Sequence, residues 1–452
     1  MENLDGTIIA TAAPSMAVDF GIASVDIHAA ITAYLVTLAV GIPLSGWLVE
    51  RLGARRVFVT AIVVFTVAST LCATSTGLGM LTAMRVLQGM GGAMMVPVGR
   101  LVVLRATAKV DLVTAIAYLT WPALLAPVIA PVLGGLFATY ATWRWIFLVN
   151  IPLGVVALVI ALRLVPSAPG HDPGPVDWRG FVLAGVGLAG VLVGMDKIGY
   201  DPVPWLSVLV IIALGVAALV LAVRHMLRTE RPLLDFRVLH VVTYRDSTGS
   251  GSVFRLVISA VPFLLPLMMQ DAFGWSPVRA GAMVIAVFVG NVGIKPVTTP
   301  LLRRFGFRTV LIASTIGAFG AIGSFTILTP TTPTVVFAGL LLASGVFRSV
   351  GFTAYNSIQF ADIDAGEMSA ANTLSASAGQ LASGLGVAVG ALALRGARAG
   401  LTILAPDATL TTAYHVGFLI LAAILLVAVV GAVRMAADAG VHVSRPVRSA
   451  RT

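Results

Sequence analysis

The stretch Leu48-Val49-Glu50-Arg51-Leu52-Gly53-Ala54-Arg55-Arg56-Val57-Phe58 returns in altered form as Leu301-Leu302-Arg303-Arg304-Phe305-Gly306-Phe307-Arg308-Thr309-Val310-Leu311. Each copy sets a glycine among basic residues, and each follows the second long apolar run of a block of six. A chain that repeats itself over such a distance is built from two related halves, a plan common among secondary transporters. Channels and membrane enzymes do not call for it.

The surroundings of the two copies explain why they stand out. Of the 452 residues, 58% are hydrophobic and only 11% charged, and the mean hydropathy is +0.99. A soluble domain carries roughly 25% charged residues to wet its surface. Here the apolar residues come in blocks of roughly 20, the length a helix needs to cross about 30 Å of hydrocarbon. Strands of a membrane barrel alternate and would not give continuous apolar runs. The class is an all-α integral membrane protein.

The runs lie near 4–18, 30–49, 57–76, 78–103, 112–138 and 143–165, then 178–196 and 204–223, then 252–272, 277–301, 307–329, 333–358, 368–394 and 413–435. That is about 14 spans in three parts: a six-helix block over 1–165, a linker with two extra helices over 166–250, and a second six-helix block with a short tail over 251–452. The first run is too short to span, so the sequence predicts a first helix that begins upstream of Met1. With both termini cytoplasmic, the inner loops collect Arg51, Arg55, Arg56, Arg105, Lys109, Arg163, Arg179, Arg224, Arg228, Arg231, Arg237, Arg245, Arg303, Arg304, Arg308, Arg434, Arg445, Arg448 and Arg451. The outside keeps only Arg144, Lys197, Arg279, Arg395 and Arg398. This is the asymmetry of the positive-inside rule. It also accounts for the net charge of +10 without nucleic acid, for which no soluble basic module exists.

Other chemistries find no residues. Cys72 sits alone inside an apolar run, the six histidines have no ligand-like spacing, and no Gly-x-x-x-x-Gly-Lys-Ser/Thr pattern occurs, which excludes a thiolate cluster and points away from ATP hydrolysis. No metal and no cofactor is expected, and no nucleophile–base pair is readable within the spans.

Four segments, taken in order, resemble the motifs of a known family. They are Leu4-Asp5-Gly6-Thr7-Ile8-Ile9, Gly46 to Phe58, Arg85-Val86-Leu87-Gln88-Gly89-Met90-Gly91-Gly92, and Trp143-Arg144-Trp145-Ile146-Phe147 with Asn150-Ile151-Pro152. On these the chain resembles the major facilitator superfamily, and within it the fourteen-helix drug:proton antiporters of the EmrB/QacA type. The resemblance implies two six-helix bundles of major-facilitator type with two extra central helices. It also implies proton-coupled export of small molecules from a bacterial cytoplasmic (inner) membrane. The motif that marks antiporters on the fifth helix ends Gly-Pro-x-x-Gly-Gly in the family. Here Pro131, Gly134 and Gly135 are kept, with Ala130 and Ala126 where glycines are usual. Glu50 stands where the family usually has Asp.

Candidate site residues follow. The resemblance implies that Asp5, Arg85 and Gln88 form a proton-coupling group, and Gln88 follows Arg85 by one turn on the same face; the competing readings are a structural arginine bonded to helix carbonyls and, for Asp5, an N-terminal carboxylate in water. Arg255, Lys295 and Arg348 fall within spans of the second half without an acid beside them. With Gln380 they are candidates for the substrate cavity, and as unmatched cations they favour an anionic solute. Snorkelling to the boundary is the other explanation for Arg255 and Lys295. Gly46, Glu50, Arg51, Gly53, Arg55 and Arg56 are expected to act as a conformational latch, or only to set topology. Small residues at Ala371, Ser375, Gly379 and Ser383 mark a packing seam. The partners expected are a small-molecule substrate, protons and the lipid bilayer, the protein working as a monomer. The alternative cargo is a small organic anion such as a carboxylate metabolite.

Overall fold

The computed structural model describes residues 1–199, 203–436 and 439–441. Its elements are helices throughout. The first block comprises α1 (Glu2–Phe20), α2 (His28–Gly41), α3 (Leu44–Leu52), α4 (Ala54–Ala73), α5 (Leu78–Ala106), α6 (Leu112–Tyr140), α7 (Trp145–Leu148) and α8 (Asn150–Leu164). Next come α9 (Trp178–Asp196) and α10 (Trp205–Met226). The second block comprises α11 (Val242–Leu267), α12 (Pro277–Gly293), α13 (Lys295–Phe305), α14 (Phe307–Gly323), α15 (Thr334–Ile358), α16 (Met368–Leu404) and α17 (Leu410–Arg434). Among the described residues ten helices are long and apolar enough to cross a membrane, and twelve if each bent pair is one span. The two remaining long helices are α1 and α6, of 19 and 29 residues. Nearly every expected run has its helix, and 143–165 reads as α7 running into α8.

The repeated stretch is also repeated structure. Helices α2 and α3 meet at 57° around Pro43, and α12 and α13 meet at 48° just before Pro296. Proline removes a backbone donor from the helix ladder, so both breaks have the same cause. Each bent pair ends on a glycine with positive φ, Gly53 at +85° and Gly306 at +77°. Each glycine opens the next helix, α4 and α14. Their ψ values of 144° and 165° lie near the region that only glycine occupies without strain. The membrane side that carries these two glycines is called the loop face below.

Close helix packing comes from small residues. A side chain at Gly345 would strike the Val287 carbonyl, and one at Gly290 the Leu342 carbonyl, so α12 and α15 touch backbone to backbone. Between the blocks, α6 packs on α12, α13 and α15, while α2, α3 and α5 pack on α16. The extra helices form a hairpin closed by Gly187, Gly190, Gly194 and Gly215. A Cβ added at Gly190 would lie 3.0 Å from the Gly215 Cα. Asp177 caps α9 by accepting from the Gly180 amide at 2.8 Å, and also meets His225 of α10 at 2.8 Å. Helix α9 leans on both blocks: Val40 of α2 lies over Gly185, and Leu192 packs on Gly384 of α16. The hairpin thereby covers the seam between α2 and α16.

Candidate functional site

A closed polar network lies inside the first block. Asp5 of α1, Arg85 and Gln88 of α5, Ser69 of α4 and Asn150 of α8 are all at most 1% exposed. Arg85 Nη1 donates to Asp5 Oδ2 and, at 2.7 Å, to Gln88 Oε1. Asp5 Oδ1 accepts from Gln88 Nε2 at 2.8 Å and from Asn150 Nδ2 at 2.9 Å, and both donors also reach Ser69 Oγ, at 2.6 and 3.1 Å. The guanidinium lies 4.0 Å from the centre of the Tyr34 ring. Gly89 and Gly92 make room on this face, since a Cβ on Gly89 would meet Thr37 at 2.9 Å and one on Gly92 the Tyr34 hydroxyl at 3.2 Å. Arg85 Nε and Nη2, Asn150 Oδ1, the Tyr34 hydroxyl and Glu2 Oε2 are buried without a hydrogen-bond partner.

Three of the residues named from the sequence, Asp5, Arg85 and Gln88, therefore meet directly. Asn150 and Ser69 were passed over. A lone amide or hydroxyl in an apolar run gives no periodic signal. Glu2 was also missed as a carboxylate with a buried oxygen. At its other end α1 is tied to the segment before α7: Asp19 accepts from Trp143 Nε1 at 3.1 Å and pairs with Arg144 at 2.9 Å.

The residues expected at the cavity of the second block separate into groups. Arg255 donates to Asn356 Oδ1 at 3.2 Å and lies 4.6 Å from the Phe352 ring centre, with Gly379 of α16 against its guanidinium. Lys295 is 7% exposed and donates to Thr353 Oγ1 at 2.6 Å. Arg348 Nη1 is buried with no partner. Gln380 is half-buried and does not line the small cavity beside Arg255, which holds about 10 Å³, room for one water. Arg100 was missed. It sits on α5 near the loop face and donates from Nε to Asn372 Oδ1 at 2.6 Å and from Nη2 to the Asn372 carbonyl at 3.0 Å. Asn372 in turn donates to the Pro97 carbonyl at 2.9 Å.

The loop after α3 divides its contacts. Gly46 lies against α16, where an added Cβ would fall 2.6 Å from Thr373 Oγ1. Its charges turn to their own side: Arg51 pairs with Asp172, Arg55 donates to the Leu162 carbonyl at 2.5 Å, and the Glu50 carbonyl accepts from the His171 amide at 2.8 Å. Arg56 is exposed. In this conformation the bonds expected from the loop charges to the opposite half are absent among the described residues. Near the loop face it is Gly46 and Arg100 that touch α16. Gly53 approaches the Ala168 carbonyl. On α6, Gly134 is buried; the surroundings of Pro131 and Gly135 lie outside the described residues.

A polytopic helical bundle with a repeated bent span and a sealed ion pair in its interior is a membrane transporter. The chain belongs to the Major Facilitator Superfamily, which it matches over residues 1–387. It is similar to the proteins called "Putative multidrug resistance protein MdtD" in Escherichia coli O6:H1 and Escherichia coli O157:H7. The identities are 36% over 401 residues and 35% over 398, each covering 87% of this chain and 83% of the relative. Its backbone is similar to the human organic anion transporter MFSD10, with TM-score 0.65 over 95% of this chain and 96% of that one. It also resembles the proton:xylose symporter XylE, with TM-score 0.60 over 95% and 91%. At 14% identity both structures speak for the fold alone. The family and relatives are transporters, and the chain is a transporter of small molecules rather than an enzyme.

Proposed function

We propose that this protein is a proton-coupled secondary transporter that exports small molecules, of the multidrug-efflux type, by alternating access. Its working halves are residues 1–165 and 251–452, joined by the linker 166–250. With α1 and α6 added to the twelve candidate spans, about 14 spans are expected in a bacterial inner membrane, with the loop face and both termini in the cytoplasm. It acts as a monomer and has no business with nucleic acid. The name carried by the curated relatives supports the class of cargo.

The observation that carries the coupling is the fully enclosed pair of Asp5 and Arg85, bridged by Gln88. A carboxylate in a sealed apolar interior is accommodated by pairing with a guanidinium and by donors that satisfy its lone pairs, here Arg85 with the Gln88 and Asn150 amides. A proton delivered to Asp5 removes that charge and frees Arg85, whose remaining donors already lack partners. The pair is then a two-state element that proton binding biases, as a coupled transporter needs. Tyr34 gives the freed guanidinium an aromatic face to rest on. The contacts of Gly46 and Arg100 with α16 hold the cytoplasmic side shut in this conformation.

The test is flux in proteoliposomes under an imposed pH gradient. Asp5→Asn is expected to reconstitute normally and to lose gradient-driven accumulation of cargo, followed with ethidium and carboxyfluorescein in parallel. Accumulation equal to that of the unaltered protein ends this reading.

A further inference from the structure

In the second block Arg255 and Arg348 have no carboxylate partner among the described residues. Arg348, Phe352 and Asn356 follow one another at four-residue intervals, so they share one face of α15. Arg255 of α11 lies against that face, stacked near Phe352 and bonded to Asn356. Arg348 stands one turn further from the loop face. Arg100 stands nearer to it, and the charge it brings to bear on Arg255 is of like sign.

No carboxylate faces this series among the described residues. In the second block Asp246 pairs with Arg245 near the start of α11, and Asp271 accepts from Tyr414 at the far end. Asp362, Asp364 and Glu367 lie between α15 and α16, and Asp407 lies before α17. An arginine does not escape by losing its proton. Three half-buried guanidinium groups in a membrane bundle without an acid beside them are costly unless a solute supplies the negative charge. The first block does not supply it: Asp5 is paired with Arg85, and the buried Glu2 lies beside Gly92, two turns along α5 from Arg100. The unpartnered Arg348 Nη1 is a donor held ready for such a solute.

We propose that Arg100, Arg255 and Arg348 form a stepped site for small organic anions, and that an anion arriving at Arg100 replaces Asn372 there and opens the seam between α5 and α16. This deepens the export reading by naming the charge of the cargo, and it rests on that reading for direction. Asn372 is a neutral ligand for a guanidinium, and a carboxylate is a stronger one. Exchange of one for the other loses no hydrogen bond on Arg100. It removes the link between blocks only when cargo is present. The cavity beside Arg255, with room for one water, is expected to widen when the clasp opens.

Equilibrium binding in nanodiscs tests the site apart from proton coupling. The probes are carboxyfluorescein as anion and ethidium as cation. The expected result is that the unaltered protein binds carboxyfluorescein at least tenfold more tightly than ethidium. R255Q and R348Q are each expected to lose tenfold or more for the anion while binding ethidium as well or better, which shows that they are folded. N372A, which frees Arg100, is expected to gain at least threefold for the anion. The proposal is overturned if the unaltered protein prefers ethidium or binds neither probe, or if R255Q and R348Q both keep full anion affinity. Anion binding that survives without pH-driven flux would instead overturn the coupling to protons and leave the site standing.

Discussion

Arg100 and Asn372 stand 272 positions apart and form a two-pronged clasp, the guanidinium donating to both the side-chain and the main-chain oxygen of the asparagine. Asn372 passes the contact back to α5 through the Pro97 carbonyl. The first and second blocks are thus joined near the loop face by a side chain whose removal leaves both helices intact. N372A is expected to raise the population open at the loop face. A hydrogen bond to a charged group is worth roughly 1.5–3 kcal/mol, so the shift should be at least tenfold. Maleimide labelling of T373C, read in a C72S background, measures it.

Gly46 gives an opposite route to the same state. Its absent side chain lets α3 close on α16, with Thr373 Oγ1 only 2.6 Å from where a Cβ would sit and Ser369 Oγ at 3.6 Å. G46L cannot close without displacing α16. It should leave the loop face open and abolish turnover, with little loss of stability because the wedge sits at a contact that opens anyway. Labelling at position 373 with loss of flux is the expected pair of results. Full flux in G46L would show that the contact does not gate.

Arg85 is not replaceable by another cation. Its Nη1 serves Asp5 and Gln88 together, and its flat face lies 4.0 Å from the Tyr34 ring centre. Lysine offers a point charge with no planar face. R85K is expected to insert and to lose at least tenfold of pH-driven flux. Counterflow without a gradient should be less affected, because cargo does not touch this pair. Normal gradient-driven flux in R85K would reduce Arg85 to a structural cation.

The helices and the two halves were legible because apolar length and a repeated glycine are properties of sequence alone. Asp5 and Arg85 were legible for a related reason, since a charge inside an apolar run has to be explained. Arg100 was not, because it lies close enough to the end of its run to pass as a boundary residue. What makes it matter is Asn372, and no spacing rule joins two residues on different blocks. Ser69 and Asn150 escaped for the same reason: their role exists only once α4 and α8 bring them to Asp5. The loop charges were read as reaching across the halves, but Arg51 finds Asp172 in the segment before α9, a partner set by how that segment folds back.

The two repeated glycines should differ in what they tolerate. Both sit at positive φ, Gly53 at +85° and Gly306 at +77°, so alanine at either carries a backbone cost of about 1 kcal/mol or more. At Gly306 nothing lies within 4 Å of an added Cβ, and the backbone cost is the whole effect. At Gly53 the Cβ would also run into the Ala168 carbonyl, with the Gly170 amide 3.6 Å away. That carbonyl belongs to the segment that supplies Asp172 to Arg51, so it cannot retreat without loosening a second contact. G53A is therefore expected to lower thermal stability in detergent by clearly more than G306A. R51A should narrow the difference by freeing the segment to move. Equal losses for G53A and G306A would mean that the segment before α9 yields freely and is not braced against α3.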